Sequence, residues 1–114
     1  MLIWGDEMIS VIIPVYNKER YISRVVDMLK RQTYKNIEII FIDDGSTDNS
    51  YNIAKLYEDG KKIFVYRQKN QGVSAARNKG MTYANGEWLS FLDPDDLIAE
   101  NYFEDLISVA ADYD

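Results

Sequence analysis

Apolar positions along this chain alternate between two spacings. Ile9–Val15 (ISVIIPV) is a short, nearly uninterrupted apolar run rich in β-branched residues, the pattern of a strand buried on both faces. From Tyr21 the spacing lengthens. Ile22, Val25, Val26 and Leu29 fall at i, i+3, i+4 and i+7, which predicts a helix with one apolar stripe. Residues 37–43 (IEIIFID) and 62–68 (KIFVYRQ) repeat the strand pattern. Between them, residues 46–59 offer Ser, Thr and Asp as N-caps, then Ile53, Leu56 and Tyr57 on one side, with Gly60 as the stop. Residues 70–86 predict a helix whose Val73, Ala76, Gly80 and Ala84 form a small-residue face suited to close packing on a sheet. Residues 87–93 (EWLSFLD) predict a fourth strand, buried and central, and Phe103, Leu106, Ile107 and Ala110 a fourth helix.

The order is β-α-β-α-β-α-β-α. Connections this short imply right-handed crossovers, hence an α/β fold with a doubly wound, mostly parallel sheet in a three-layer α/β/α arrangement. Ligands of such sheets bind beyond the carboxyl ends of the strands, near the point where strand order reverses. The strand ends therefore nominate the site. Pro14, Val15, Tyr16, Asn17 and Glu19 follow the first strand, Asp43, Asp44, Gly45 and Ser46 the second, and Asp93, Asp95 and Asp96 the fourth.

Composition narrows the chemistry. The chain has 114 residues, 46% of them hydrophobic, enough for one core, with residues 1–8 read as an N-terminal extension and 9–114 as the domain. A net charge of −6 argues against a nucleic-acid partner, and it requires a cation to mediate any phosphate-bearing ligand. Cysteine and histidine are both absent, which removes thiolate sites, the commonest zinc ligand and the commonest general base. Any bound metal would be held by oxygen, favouring Mg²⁺, Mn²⁺ or Ca²⁺. No apolar stretch approaches the ~20 residues of a transmembrane helix, and the opening MLIWGDEM has acids where a signal peptide is basic. The expected location is cytoplasmic, with the full-length protein possible at the inner membrane face.

Each motif has an ordinary reading beside a functional one. Residues 93–96 (DPDD) could be a solvated turn, but D-x-D in extended backbone can also share one hard cation. Residues 43–48 (DDGSTD) could be a turn with Gly45 at positive φ, yet one acid would serve a turn and the second is free to accept hydrogen bonds from a ligand. Gly72 could open a helix N-terminus that favours anions, with Arg77 one turn on, or the segment could simply pack closely. Residues 14–17 (PVYN) could be a plain strand exit or a wall for a flat base, and Glu19 a first-turn helix acid. Dinucleotide and P-loop fingerprints are missing, since the first strand exits through PVYNKE without a glycine. The acid spacing fits neither a haloacid-type phosphatase nor a receiver domain.

Taken in order, SVIIPVYNKERYI, IEIIFIDDGSTDNS, NQGVSAARNKG and GEWLSFLDPDD resemble the amino-terminal half of an inverting family 2 glycosyltransferase of GT-A fold, over about residues 9–104. The resemblance implies a nucleotide-diphosphate sugar donor, most often a UDP-sugar, and transfer to an acceptor hydroxyl with inversion, as in polysaccharide biosynthesis. It implies that Pro14, Val15, Tyr16 and Glu19 line the nucleoside pocket and that Asp43 and Asp44 contact base or ribose. Arg77 then closes over the nucleotide. Asp93 and Asp95 form the D-x-D that holds ribose and the Mn²⁺ or Mg²⁺ on the diphosphate, with Asp96 an adjacent ligand. The family's acceptor-binding half and general base lie downstream of D-x-D, and only 18 residues follow Asp96 here. The chain is thus expected to be the donor-binding part, inactive alone, binding a donor but lacking its saccharide or lipid-linked acceptor site. It is also expected to self-associate through an unfinished sheet edge. Two alternatives stand beside this reading: a non-catalytic nucleotide-sugar-binding module, and a GT-A-like nucleotidyltransferase, whose glycine-rich basic loop PVYNKE does not match.

Overall fold

A computed structural model describes residues 7–111. The elements follow in the order β1 (Ile9–Val15), a 3₁₀ turn (Glu19–Tyr21), α1 (Ile22–Lys30), β2 (Ile37–Asp44), α2 (Ser50–Tyr57), β3 (Ile63–Gln68), α3 (Val73–Tyr83), β4 (Trp88–Phe91) and α4 (Tyr102–Ala111). The strands form one sheet in the order β3-β2-β1-β4, and every pairing is parallel. Ile9 stands beside Ile37 on one side and Trp88 on the other, which fixes the register of the three strands.

Side-chain alternation sorts the core into two layers. Val11, Ile13, Ile39, Phe41 and Val65 face α1, α2 and α4, meeting Ile22, Val25, Val26, Leu29, Ala54, Phe103 and Ile107. Ile12, Ile40 and Ile42 face the other way, against Ala76 of α3. Gly80 shows why that helix carries small residues. A Cβ there would lie 2.4 Å from Ile12 Cγ2, so anything larger lifts α3 off the sheet. The result is the doubly wound, three-layer arrangement. The chain steps outward from β1 to β3 and then crosses to the far side of β1, so strand order reverses between β1 and β4. Among the described residues no helix is long and apolar enough to cross a membrane.

The pattern misleads in four places. β4 is an edge strand in this chain, not a central one, and Leu89 and Phe91 remain 46% and 42% exposed on the α3 face. Leu56 and Leu106, expected in the apolar stripes, are exposed, while Ala54, Phe103 and Ile107 do the packing. α2 starts at Ser50 instead of 46 because Thr47 and Asp48 donate their amides to Asn17 Oδ1, outside the helical ladder. It stops at Tyr57, ahead of Gly60, where Glu58 turns extended and Asp59 Oδ1 gathers the amides of Lys61, Lys62 and Ile63.

Candidate functional site

Three loops and the segment after β4 meet at the carboxyl ends of the strands, and hydrogen bonds knit the first two loops together. Asn17 adopts φ 52, one of the few side chains that tolerates the left-handed region. From there its amide donates to Ser46 Oγ at 3.0 Å, while its Oδ1 accepts from the Thr47 amide at 2.8 Å and the Asp48 amide at 3.2 Å. The Lys18 amide reaches Ser50 Oγ at 2.8 Å. Glu19 and the turn before α2 bond reciprocally: its amide donates to Asp48 Oδ2 at 3.3 Å, and its Oε2 accepts from the Asn49 amide at 3.1 Å. Burial pushes the Asp48 carboxyl up, but the hydroxyl and amide of Ser50 and the amide of Glu19 outweigh burial and hold it below its ordinary 3.8.

The acids ending β2 are buried. Asp43 is 1% exposed; its Oδ2 accepts from the Ser46 amide at 3.0 Å and lies 3.4 Å from Arg67 Nε, while its Oδ1 has no hydrogen-bond partner among the described residues. Arg67 in turn lies over the Tyr51 ring at 4.8 Å. Asp44 points to the other side of the sheet. Its Oδ1 accepts from Gln68 Nε2 and the Gln71 amide, each at 2.8 Å, and its Oδ2 from the Gly72 amide at 3.0 Å. One carboxylate therefore ties the end of β2 to the start of α3. Gly45 allows the close approach: it sits at φ +71, and a Cβ would fall 2.7 Å from the Asn70 amide nitrogen. The expectation that the second acid is free for a ligand changes here, because three protein donors already occupy Asp44.

The acids following β4 are arranged differently. Asp93 and Asp96 bracket a tight turn, with the Asp93 amide on Asp96 Oδ2 at 2.8 Å and the Asp96 amide on the Asp93 carbonyl at 3.0 Å. Asp93 and Asp95 stay open, with side chains 51% and 44% exposed. Each has one loose cationic neighbour: Arg77 Nη2 is 3.7 Å from Asp93 Oδ1, and Lys18 Nζ is 3.5 Å from Asp95 Oδ2. Arg24 Nη2 donates to the Asp95 carbonyl at 2.9 Å and fixes the turn against α1. One carboxylate oxygen from each of Asp93, Asp95 and Asp96 lies within 4.8 Å of the others. An all-oxygen, anionic donor set of this kind suits a hard divalent cation.

An open cavity of about 280 Å³ occupies the switch between β1 and β4. Pro14, Val15, Tyr16, Asp44, Asp93 and Asp95 all line it, so acids from two strand ends converge with the exit of β1. Glu19, Asp43, Arg77 and Asp96 are not in its lining. Glu19 serves the loop crosslink, Asp43 faces α2 beside Arg67, Arg77 stands beside Asp93 with its buried Nε unpartnered among the described residues, and Asp96 closes the turn. Lys18, Val73 and Pro94 line the cavity without having been singled out from the sequence. For Lys18 the signal was present: a base in the loop leaving β1, in a candidate site whose strand ends supply mostly acids.

The family model described as glycosyl transferase family 2 matches residues 10–114. Glycosyltransferase GlyA of Streptococcus pneumoniae serotype 4 (strain ATCC BAA-334 / TIGR4) is 43% identical over 109 residues, covering 95% of this chain and 16% of that protein. Glycosyltransferase GlyG of the same strain is 41% identical over 103 residues, covering 89% of this chain and 34% of that protein. The chain thus spans about a third or less of the length of these curated relatives. Among solved structures, S. aureus TarS 1–349 in complex with UDP superposes with a TM-score of 0.83 at 30% identity, over 92% of this chain and 32% of that one. Its complex with UDP-GlcNAc gives 0.84 at 30% identity, over 92% and 31%. The mannosyltransferase PcManGT from Pyrobaculum calidifontis, in complex with GDP-Man and Mn²⁺, shares the fold with a TM-score of 0.77 at 23% identity, over 90% of this chain and 31% of that one.

Proposed function

Because the chain belongs to glycosyl transferase family 2, we propose that its β1–β4 cavity binds a nucleotide-diphosphate sugar, a UDP-sugar first, for transfer of the sugar to an acceptor hydroxyl with inversion. The observation that carries this reading is the convergence of Tyr16, Asp44, Asp93 and Asp95 on one cavity at the strand-order switch. The UDP and UDP-GlcNAc complexes of TarS support the choice of donor. In the reaction the acceptor oxygen forms a bond to the anomeric carbon, the bond from that carbon to the β-phosphate oxygen breaks, and a base takes the hydroxyl proton. The acceptor belongs to the saccharide or lipid-linked saccharide class.

Within the cavity Pro14, Val15 and Tyr16 form an apolar wall for the base, and the one acceptor position left on Asp44, on Oδ2, faces the nucleoside. Asp93, Asp95 and Asp96 would hold Mn²⁺ or Mg²⁺, which when bound offsets the charge of the diphosphate as it binds and leaves. Lys18 and Arg77 balance the open carboxylates until the donor arrives, and both are then within the region where phosphate charge accumulates.

Titration calorimetry with UDP tests the reading. We expect affinity at least tenfold tighter in Mn²⁺ or Mg²⁺ than in EDTA, and loss of that gain in Asp95→Asn. Equal affinity in both conditions would reduce the acids at 93–96 to a turn.

A further inference from the structure

The segment between β4 and α4 carries the candidate cation ligands, yet burial gives it little hold. Residues 92–101 form neither helix nor strand, and only Leu92 and Pro94 among them are buried. The hold comes from α1. Arg24, Met28 and Gln32 recur at four-residue spacing, two on α1 and one just past its end, so they line up on one side. They meet the backbone of the segment in the same order. Arg24 Nη2 donates to the Asp95 carbonyl at 2.9 Å, and Met28 Sδ accepts from the Ile98 amide at 3.3 Å. Gln32 Nε2 donates to the Ala99 carbonyl at 2.8 Å, while its Oε1 accepts from the Phe103 amide at 3.2 Å. The Thr33 amide adds a bond to the Glu100 carbonyl at 2.8 Å. Backbone groups that a strand or helix would pair internally thus find partners along one helix face.

The row runs from an anchor to a tip. Gln32 is fully buried, whereas Arg24 is exposed at the candidate site. There Asp95 is held twice, by Arg24 on its carbonyl and by Lys18 Nζ 3.5 Å from its carboxylate. Both cations lie over the Tyr21 ring, Arg24 Cζ at 5.0 Å and Lys18 Nζ at 5.8 Å from its centroid. We propose that Arg24 is a positioning residue for the cation site. Without touching cation or donor, it holds the Asp95 backbone where the Asp95 carboxylate can share one ion with those of Asp93 and Asp96, whose oxygens lie within 4.8 Å of one another. This role rests on the cation reading of that turn proposed above. Electrostatics and positioning then predict opposite signs. The guanidinium is a positive charge beside the site, so its removal by charge alone would strengthen cation binding. Loss of the hydrogen bond would weaken it.

Titration calorimetry with UDP, in EDTA and in Mn²⁺, separates the two. Arg24→Met keeps an apolar stem over Tyr21 and loses the donor. In it we expect the Mn²⁺-dependent gain in UDP affinity to fall roughly threefold or more, the net worth of one hydrogen bond. UDP affinity in EDTA and the midpoint of urea unfolding should stay unchanged. Arg31→Met removes a charge from the end of the same helix, where it pairs with Asp27 at 2.9 Å, and should leave the gain intact. A gain that is unchanged or larger in Arg24→Met overturns the proposal, as does an equal loss in Arg31→Met. So does a gain lost only together with a fall in the unfolding midpoint, which would make Arg24 a structural contact. If the unsubstituted chain shows no gain with Mn²⁺, the cation reading itself fails and the positioning role fails with it; a gain present there and intact in Arg24→Met overturns the positioning role alone.

Discussion

The two acidic motifs at the strand ends have nearly the same composition and opposite physical roles. Asp43 and Asp44 are buried, and protein donors occupy most of their oxygens. Asp93 and Asp95 are half exposed, and among the described residues their carboxylates meet cations only at the long distances to Arg77 and Lys18. A buried carboxylate survives only when hydrogen-bonded or paired, so the first motif is committed to holding loops together. An exposed carboxylate keeps its hydration and can exchange it for a ligand at small cost, so the second remains available. The difference teaches that an acid pair at a strand end is not by itself a ligand site; the number of amides within reach decides.

Substitutions should separate the motifs by stability. Asp44→Ala removes the acceptor of three donors, two of them backbone amides, and should destabilise by about 3 kcal/mol. The midpoint of urea unfolding reads this directly. Gly45→Ala places a Cβ against the Asn70 backbone at positive φ and should lose about 1–2 kcal/mol in the same assay. Acid should also discriminate. Asp48 sits below its ordinary 3.8 in the folded chain, as does Asp59, and Glu58 lies below its ordinary 4.5, held there by Lys55 and the Val65 amide. The unfolded chain therefore binds more protons in this window, so stability rises with pH. These groups contribute fully above their ordinary values, and the contribution disappears as pH falls through the lower folded ones. Unfolding midpoints should be flat above about pH 5 and drop below it, with a shallower drop in Asp48→Asn. The smallest effect belongs to the second motif: Asp95→Asn should shift stability by no more than about 0.5 kcal/mol. A larger loss would make that turn structural as well.

How much of this was legible depends on distance along the chain. β1 and β2 were readable to within a residue because burial on both faces leaves a continuous apolar run. β4 carries a similar run, yet such a run cannot distinguish a central strand from an edge, and Leu89 and Phe91 proved exposed. The start of α2 was misjudged because Thr47 and Asp48 bond across to Asn17, thirty residues or so away, a choice no local propensity encodes. The candidate site was nominated through a topological rule, which needs only strand ends and strand order, and six of the nominated residues line one cavity. Its internal division of labour was not visible, since the partners of Asp44, Gln71 and Gly72, come from another loop, and the Lys18–Asp95 contact joins the first loop to the last.

The central place of β1 also bears on how the cavity comes into being. Ile9 meets Ile37 early in the chain but must wait for Trp88 on its other flank. During synthesis, β1, β2 and β3 can assemble while β4 is still being made, because their pairings are comparatively local. At that stage β1 presents an open edge, and Tyr16 and Asp44 form half a cavity with no opposite wall. Docking of β4 closes the edge and brings Asp93 and Asp95 into place in one event. Until β4 docks, the acids of the two strand ends are not brought together, so the cavity lined by both is completed at that step.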